Sequence, residues 1–140
     1  MAYWLVKSEA STWSWDQQVK SGAKGEAWTG VRNHTAKQNL AAMKRGDRAF
    51  FYHSGDERQI VGVVEVVGEA HPDPTDETGK FVAVDVKAVT PVPKPVTLAA
   101  IKADSRLKDM ALVKLSRLSV QPVTAQEWRI ICSLGGLKDG

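Results

Sequence analysis

Apolar and polar positions alternate from the start of the chain. Tyr3, Leu5 and Lys7 share one face and Trp4 and Val6 the other, which predicts a short strand over 3–7. Ser14 is placed to cap a short helix running through Val19 and ended by Gly22. Asn33 caps a longer one, in which Ala36, Leu40 and Met43 follow helical spacing and Gly46 is the stop. Strands are predicted over 47–53, over 59–67, where a β-branched run is apolar on both faces, and over 82–88, where one face is wetter.

The segment HPDPTDETG, residues 71–79, reads as an acidic loop, and PVPKP, 91–95, as a stiff connector. Thr97 caps a short helix through Lys102, and 118–123 is too brief to assign. Thr124 starts a last helix that turns Trp128, Ile131 and Cys132 inward and closes at Gly135-Gly136. Strands without regular βαβ alternation predict an α+β fold, with a small curved sheet or barrel carrying helices on its outside.

Composition narrows the class. A chain of 140 residues, 43% hydrophobic and 25% charged, is expected to form a single soluble domain. It contains no apolar run of membrane-spanning length, so no membrane partner is expected. The segment MAYWLVKSEAS lacks the marks of a secretory leader, and Cys132 is the one cysteine, so a reduced, cytoplasmic location without a structural metal is expected. Net charge is only +3, but it is uneven. Seven Lys or Arg stand between Lys20 and Arg48 against Glu26 and Asp47, and six acids stand between Glu65 and Asp85 against Lys80. That asymmetry fits a polyanion partner, and equally a set of solvated faces.

Catalytic templates are missing. The chain holds no GxGxxG, GxxxxGK[ST], GxSxG or HExxH, and His34, His53 and His71 are scattered. Neither an enzyme nor a cofactor is expected, and Cys132 reads as a buried, inert thiol. The aromatics say more. Of five tryptophans, four lie within the first 28 residues. Trp4 and Trp128 read as core residues. Trp28 stands in GEAWTGVRNH between Gly25 and Gly30, where it either packs inward or offers one ring face to a nucleobase.

Five segments in order carry a resemblance: YWLVKSE (3–9), WTGVRN (28–33), GDRAFFYHS (46–54), IVGVVEV (60–66) and RLSVQPV (117–123). Together they resemble the EVE domain, a member of the PUA-like superfamily that also contains ASCH domains and, more distantly, YTH domains. The likeness runs from Tyr3 to about Leu134. One departure is Ala10, where the family usually has proline after KSE; the substitution frees φ in the turn that follows the first strand.

The resemblance implies a PUA-like curved mixed β-barrel with flanking helices. It also implies a non-catalytic pocket for a modified base, such as methylated cytosine or adenine, in DNA or RNA. A base reader needs an aromatic wall, groups for the base edge and cations for phosphates. On that expectation Trp28 forms the wall, with Tyr52 or His53 opposite and Ser54 beside them. Ser8 and Glu9 address a base edge, and Thr29 to Asn33 offer backbone N–H groups where a helix begins. Ser119 lines the pocket, while Arg32, Asn33, Lys37, Lys44, Arg45 and Arg117 meet phosphates. Each has a plainer alternative: Asn33 as a helix cap only, Tyr52 and His53 as hydrogen-bonded strand residues, Glu9 as a solvated turn carboxylate, Lys7 as a snorkelling strand-end lysine. The rival function is a free-nucleotide or small-molecule sensor using the same pocket.

Overall fold

The computed structural model describes residues 1–137. Its elements in chain order are β1 (Tyr3–Glu9), α1 (Trp15–Lys20), β2 (Glu26–Ala27), α2 (His34–Ala42), β3 (Arg48–Ser54), β4 (Gln59–Pro72), β5 (Val82–Thr97), α3 (Leu98–Ala103), a 3-10 turn (Ser105–Leu107), α4 (Ala111–Lys114), β6 (Val120–Val123) and α5 (Ala125–Gly135). One six-stranded sheet takes the order β2-β5-β4-β3-β1-β6. β1 lies parallel to β3, with Tyr3 opposite Arg48 and Glu9 opposite Ser54, and the remaining pairs are antiparallel. A parallel pair needs a crossover. Here α1, β2 and α2 supply it, and the chain between β1 and β3 therefore lies over one face of the sheet.

Strand alternation builds two cores. Trp4, Val6, Ala49 and Phe51 face α1 and α2 together with Trp15, Trp28 and Leu40. Leu5, Phe50, Tyr52 and Ile60 face the other way, onto Ile101, Leu112, Trp128 and Cys132. Trp128 stacks on Phe50 at 3.9 Å between centroids and on Tyr3 at 4.5 Å, which makes it a core residue as expected. Trp4 is also core, its indole N–H donating to Asp47 at 3.1 Å.

The predicted caps all form. Ser14 and Gln17 close a capping box on α1, Thr124 and Glu127 another on α5, and Asn33 and Thr97 accept from the third residue of α2 and α3. α2 stops at Ala42, short of Gly46. Met43 turns extended to bury its side chain, and the Lys44 amide donates to the Asp47 carboxylate, which makes the turn into β3.

Two strands outrun expectation. β4 continues to Pro72, and β5 takes in PVPKP, expected as a connector. Val92 and Val96 are buried in the second core. Pro93 and Pro95 fall in the bulged stretch between the Gly62–Pro91 and Ile60–Val96 pairings, where no β4 residue is in register and a missing N–H costs no ladder bond. The sheet is curved and mixed with helices on both faces, but its ladder does not close. β2 spans two residues, and the Val120 carbonyl of β6 accepts from Asn39 of α2 instead of from a strand. Trp15 lies directly on Gly62 of β4, where an added Cβ would meet its ring, so the close approach of α1 to the sheet depends on that glycine.

Candidate functional site

A cavity of about 840 Å³ opens at the end of β1, between that strand, the 26–33 segment and the loop after β4. Each wall has a local cause. The Trp28 backbone N–H donates to the Val84 carbonyl at 2.7 Å, and its ring meets the Phe51 ring edge-on at 5.4 Å and 90°. With 7% of its surface exposed, Trp28 is both a core residue and a cavity wall. Half-buried Trp13 supplies a second indole to the same cavity. Its N–H donates to Gln18 Oε1 at 2.9 Å, and Gln18, fully buried, donates in turn to the Val86 carbonyl at 3.0 Å. Trp13 is thereby fastened to the sheet through a glutamine.

Beyond Trp28 the chain turns at Gly30, whose φ of 83° suits only glycine comfortably. The Gly30 N–H donates to Asp73 at 2.8 Å, and Arg32 Nη1 donates to the same carboxylate oxygen at 3.0 Å. The other Asp73 oxygen accepts from the Thr75 amide and hydroxyl, both at 2.7 Å. Burial alone would raise this carboxyl, but the donors from Thr75, Gly30 and Arg32 outweigh it and hold Asp73 well below the usual carboxylate range. The acidic loop read at 71–79 is thus a wall of the cavity, contributing Pro74 and Thr75.

Of the residues expected at a site, Ser8, Trp28, Thr29, Arg32, Asn33 and Ser119 line this cavity. Asn33 also caps α2 through Ala36, so both of its readings hold at once. Tyr52 and His53 do not line it. Neighbouring strand residues point to opposite faces. Tyr52 therefore lies in the second core, 3% exposed, with the Lys7 ammonium 5.8 Å above its ring. His53 shares the face of Phe51, but its Nε2 accepts the Trp15 N–H at 3.1 Å and its Nδ1 meets Glu57 at 2.9 Å, so it braces α1. Glu9 and Ser54 face each other across the ends of β1 and β3, outside the lining.

The cations separate likewise. Lys37 is outside the lining, its Nζ 5.9 Å from the Phe81 ring against which Arg32 also lies, and Lys44, Arg45 and Arg117 are exposed and outside the lining as well. Lys7 has a lining position, but its ammonium lies on the opposite face and donates to the Ser116 carbonyl at 2.6 Å, and burial lowers its pKa. The sequence reading missed Thr12, Trp13, Glu26, Ala27, Pro74 and Thr75. Trp13 had a faint signal in the clustering of tryptophans near the start of the chain; Pro74 and Thr75 had none, because they come from the loop after β4, more than 40 residues further along the chain. Among the described residues, no group of three His, Cys, Asp or Glu is placed to hold a metal ion, and no helix is long and apolar enough to cross a membrane.

An open mixed sheet with helices on both faces and a cavity at the crossover is a PUA-like fold. It superposes with a TM-score of 0.61 on the YTH domain of Zygosaccharomyces rouxii MRB1, solved with N6-methyladenosine RNA, at 18% identity over 99% of this chain and 88% of that one; the likeness is one of fold. Residues 2–134 match the EVE domain, and the chain belongs to the EVE domain family. An NMR structure from Rhodopseudomonas palustris is 66% identical, with a TM-score of 0.93 over 100% of this chain and 97% of that one. Human thymocyte nuclear protein 1 is 32% identical over 95% of this chain and 73% of its own length. Its crystal structure in complex with 5-methylcytosine-containing DNA has a TM-score of 0.90 and covers 99% of each chain.

Proposed function

We propose that this chain is a non-catalytic binding module for nucleic acid carrying a modified base, and that the cavity is the base pocket. One observation carries the reading: two tryptophans line a cavity in a chain that matches, over 99% of its length, the human chain crystallised with 5-methylcytosine-containing DNA. An unpaired or flipped base entering the cavity would stack on an indole, a contact contributing about 1–3 kcal/mol. Ser8, Thr29, Asn33 and Ser119 offer polar groups to its edge. Glu26 is the acidic residue in the lining. A carboxylate repels phosphates, so its place in such a pocket is to accept from a base N–H, of which the exocyclic amine of cytosine or adenine is one. Lys37, beside the Phe81 ring, meets the flanking phosphate, and Lys44, Arg45 and Arg117 act only at longer range.

The cavity is larger than a single base needs, which supports a second reading as a sensor of free nucleotides. Tryptophan fluorescence separates the two. The chain is titrated with short DNA and RNA oligonucleotides bearing methylated, hydroxymethylated or plain cytosine and adenine, and with the matching mononucleotides, at two salt concentrations. Quenching by one modified base that depends on strand and salt, and that Trp13→Ala removes, is the expected result. Quenching independent of chain length and salt selects the sensor. No quenching by any of these ligands overturns both.

A further inference from the structure

Arg32 is a cation in the wall of a proposed nucleic-acid pocket, and the simplest role for it is a phosphate contact. Three of its five N–H donors are already engaged. Nη1 donates to Asp73 and to the Val31 carbonyl, Nη2 donates to Thr75 Oγ1 at 3.0 Å, and the guanidinium carbon lies 5.5 Å from the Phe81 ring centroid. The carboxylate that orders this set is fully buried in its side chain and takes four hydrogen bonds, one of them from Gly30 in the Trp28 loop. Phe81 extends the same seam by stacking on His34 at 5.4 Å, at the start of α2.

We propose that Asp73 and Arg32 form a latch that fixes the 28–33 segment against the 73–81 loop, with Asp73 as its positioning residue, and that discrimination between a modified and an unmodified base depends on it. The inference rests on the reading of the cavity as a base pocket. The physical reason is the smallness of what must be read. A methyl group is distinguished by roughly 10–200-fold, and only where a wall meets it in contact. Dispersion falls steeply with distance, so a wall free to retreat by half an ångström to one ångström forfeits much of that contact. Trp28 and Gly30 lie on one side of the latch, Pro74 and Thr75 on the other, and all four line the cavity. Without the carboxylate, the Gly30 N–H and the guanidinium lose their shared partner and the two segments are free to part.

The test uses the full chain with Asp73→Asn, Arg32→Gln and the double variant, and Thr75→Val as a milder cut should Asp73→Asn fail to fold. Two readouts are taken: protection of the Gly30 amide from hydrogen exchange without ligand, and affinity for an oligonucleotide containing 5-methylcytosine or cytosine at two salt concentrations. A latch predicts that Asp73→Asn exposes the Gly30 amide and narrows the methylcytosine-to-cytosine ratio severalfold. Arg32→Gln then adds nothing to Asp73→Asn, and the salt slope stays that of the parent chain. Additive losses with a salt slope reduced by about one on Arg32→Gln would make Arg32 a phosphate ligand and overturn the latch. An unchanged Gly30 amide and an unchanged ratio in all variants would overturn it as well. If the parent chain binds no oligonucleotide, the base-pocket reading fails, and the claim that discrimination depends on the latch fails with it; exposure of the Gly30 amide in Asp73→Asn would then support only the structural tie between the two segments.

Discussion

Phe51 presents its ring to Trp28 at 5.4 Å and 90° and to Trp15 at 5.5 Å and 71°, so one strand residue seats both the cavity wall and the first helix. Edge-to-face pairs contribute about 0.5–1.5 kcal/mol each beyond burial. Phe51→Leu is expected to lower stability through both contacts and to weaken ligand binding through a less fixed Trp28. Denaturant unfolding and fluorescence titration of the same variant measure the two losses. Trp28 itself is a poor probe: it is buried, and truncation to alanine is expected to cost about 3–5 kcal/mol, so lost binding there would not separate pocket from fold.

Gln18 offers a cleaner separation, because it touches the cavity only through Trp13. Gln18→Met removes the acceptor for the Trp13 indole and leaves the Val86 carbonyl without its side-chain donor. A lost hydrogen bond of this kind costs about 0.5–1.5 kcal/mol. The expected outcome is a folded protein of reduced stability whose Trp13 indole resonance moves and whose affinity for the modified oligonucleotide falls. An unmoved resonance would show that Trp13 is held by packing alone.

His71 and Asp85 face each other across β4 and β5 at 2.9 Å. The hydrogen bond to Asp85 raises the histidine pKa above its ordinary value. A raised histidine contributes stability that is fully present below its unfolded pKa, near 6.5, and is lost as pH rises through the folded value. Both side chains are 37% exposed, so the contribution is small, of the order of a surface pair at about 0–1 kcal/mol. Urea midpoints are therefore expected to fall slightly on going from about pH 6 to pH 8, and His71→Gln is expected to flatten that part of the profile.

Cys132 lies in α5 against the second core, 1% exposed, and burial pushes its thiol up to about 11. It is expected to resist thiol reagents at neutral pH in the native state and to react at once in denaturant. Stoichiometric labelling of the native protein within minutes would contradict the packing of α5.

Much of the fold is legible in short stretches of chain because its causes are local. A side chain that accepts from the amide three residues on marks a helix start wherever it occurs, and Ser14, Asn33, Thr97 and Thr124 all do so. Alternation along 3–7 and 82–88 assigned strands, and five ordered segments assigned the family. Alternation also bore on the site, since residues 52 and 53 cannot both face Trp28. Other features had no local cause. PVPKP runs on as strand because Gly62 and Ile60 of β4 pair with Pro91 and Val96 at either end of it, and the prolines between fall in a bulge that asks for no N–H. Asp73 is buried because a loop from 43 residues earlier brings it Gly30.

The sequence by itself determined the two-faced strands, the helix starts and the presence of tryptophans more numerous than one small core requires, since each follows from neighbours a few bonds away. Only the tertiary structure decided which tryptophans share a cavity, that Arg32 turns to a carboxylate, and that an acidic loop is a wall. Those outcomes depend on which distant segments the sheet order brings together, and no local pattern of side chains encodes that distance.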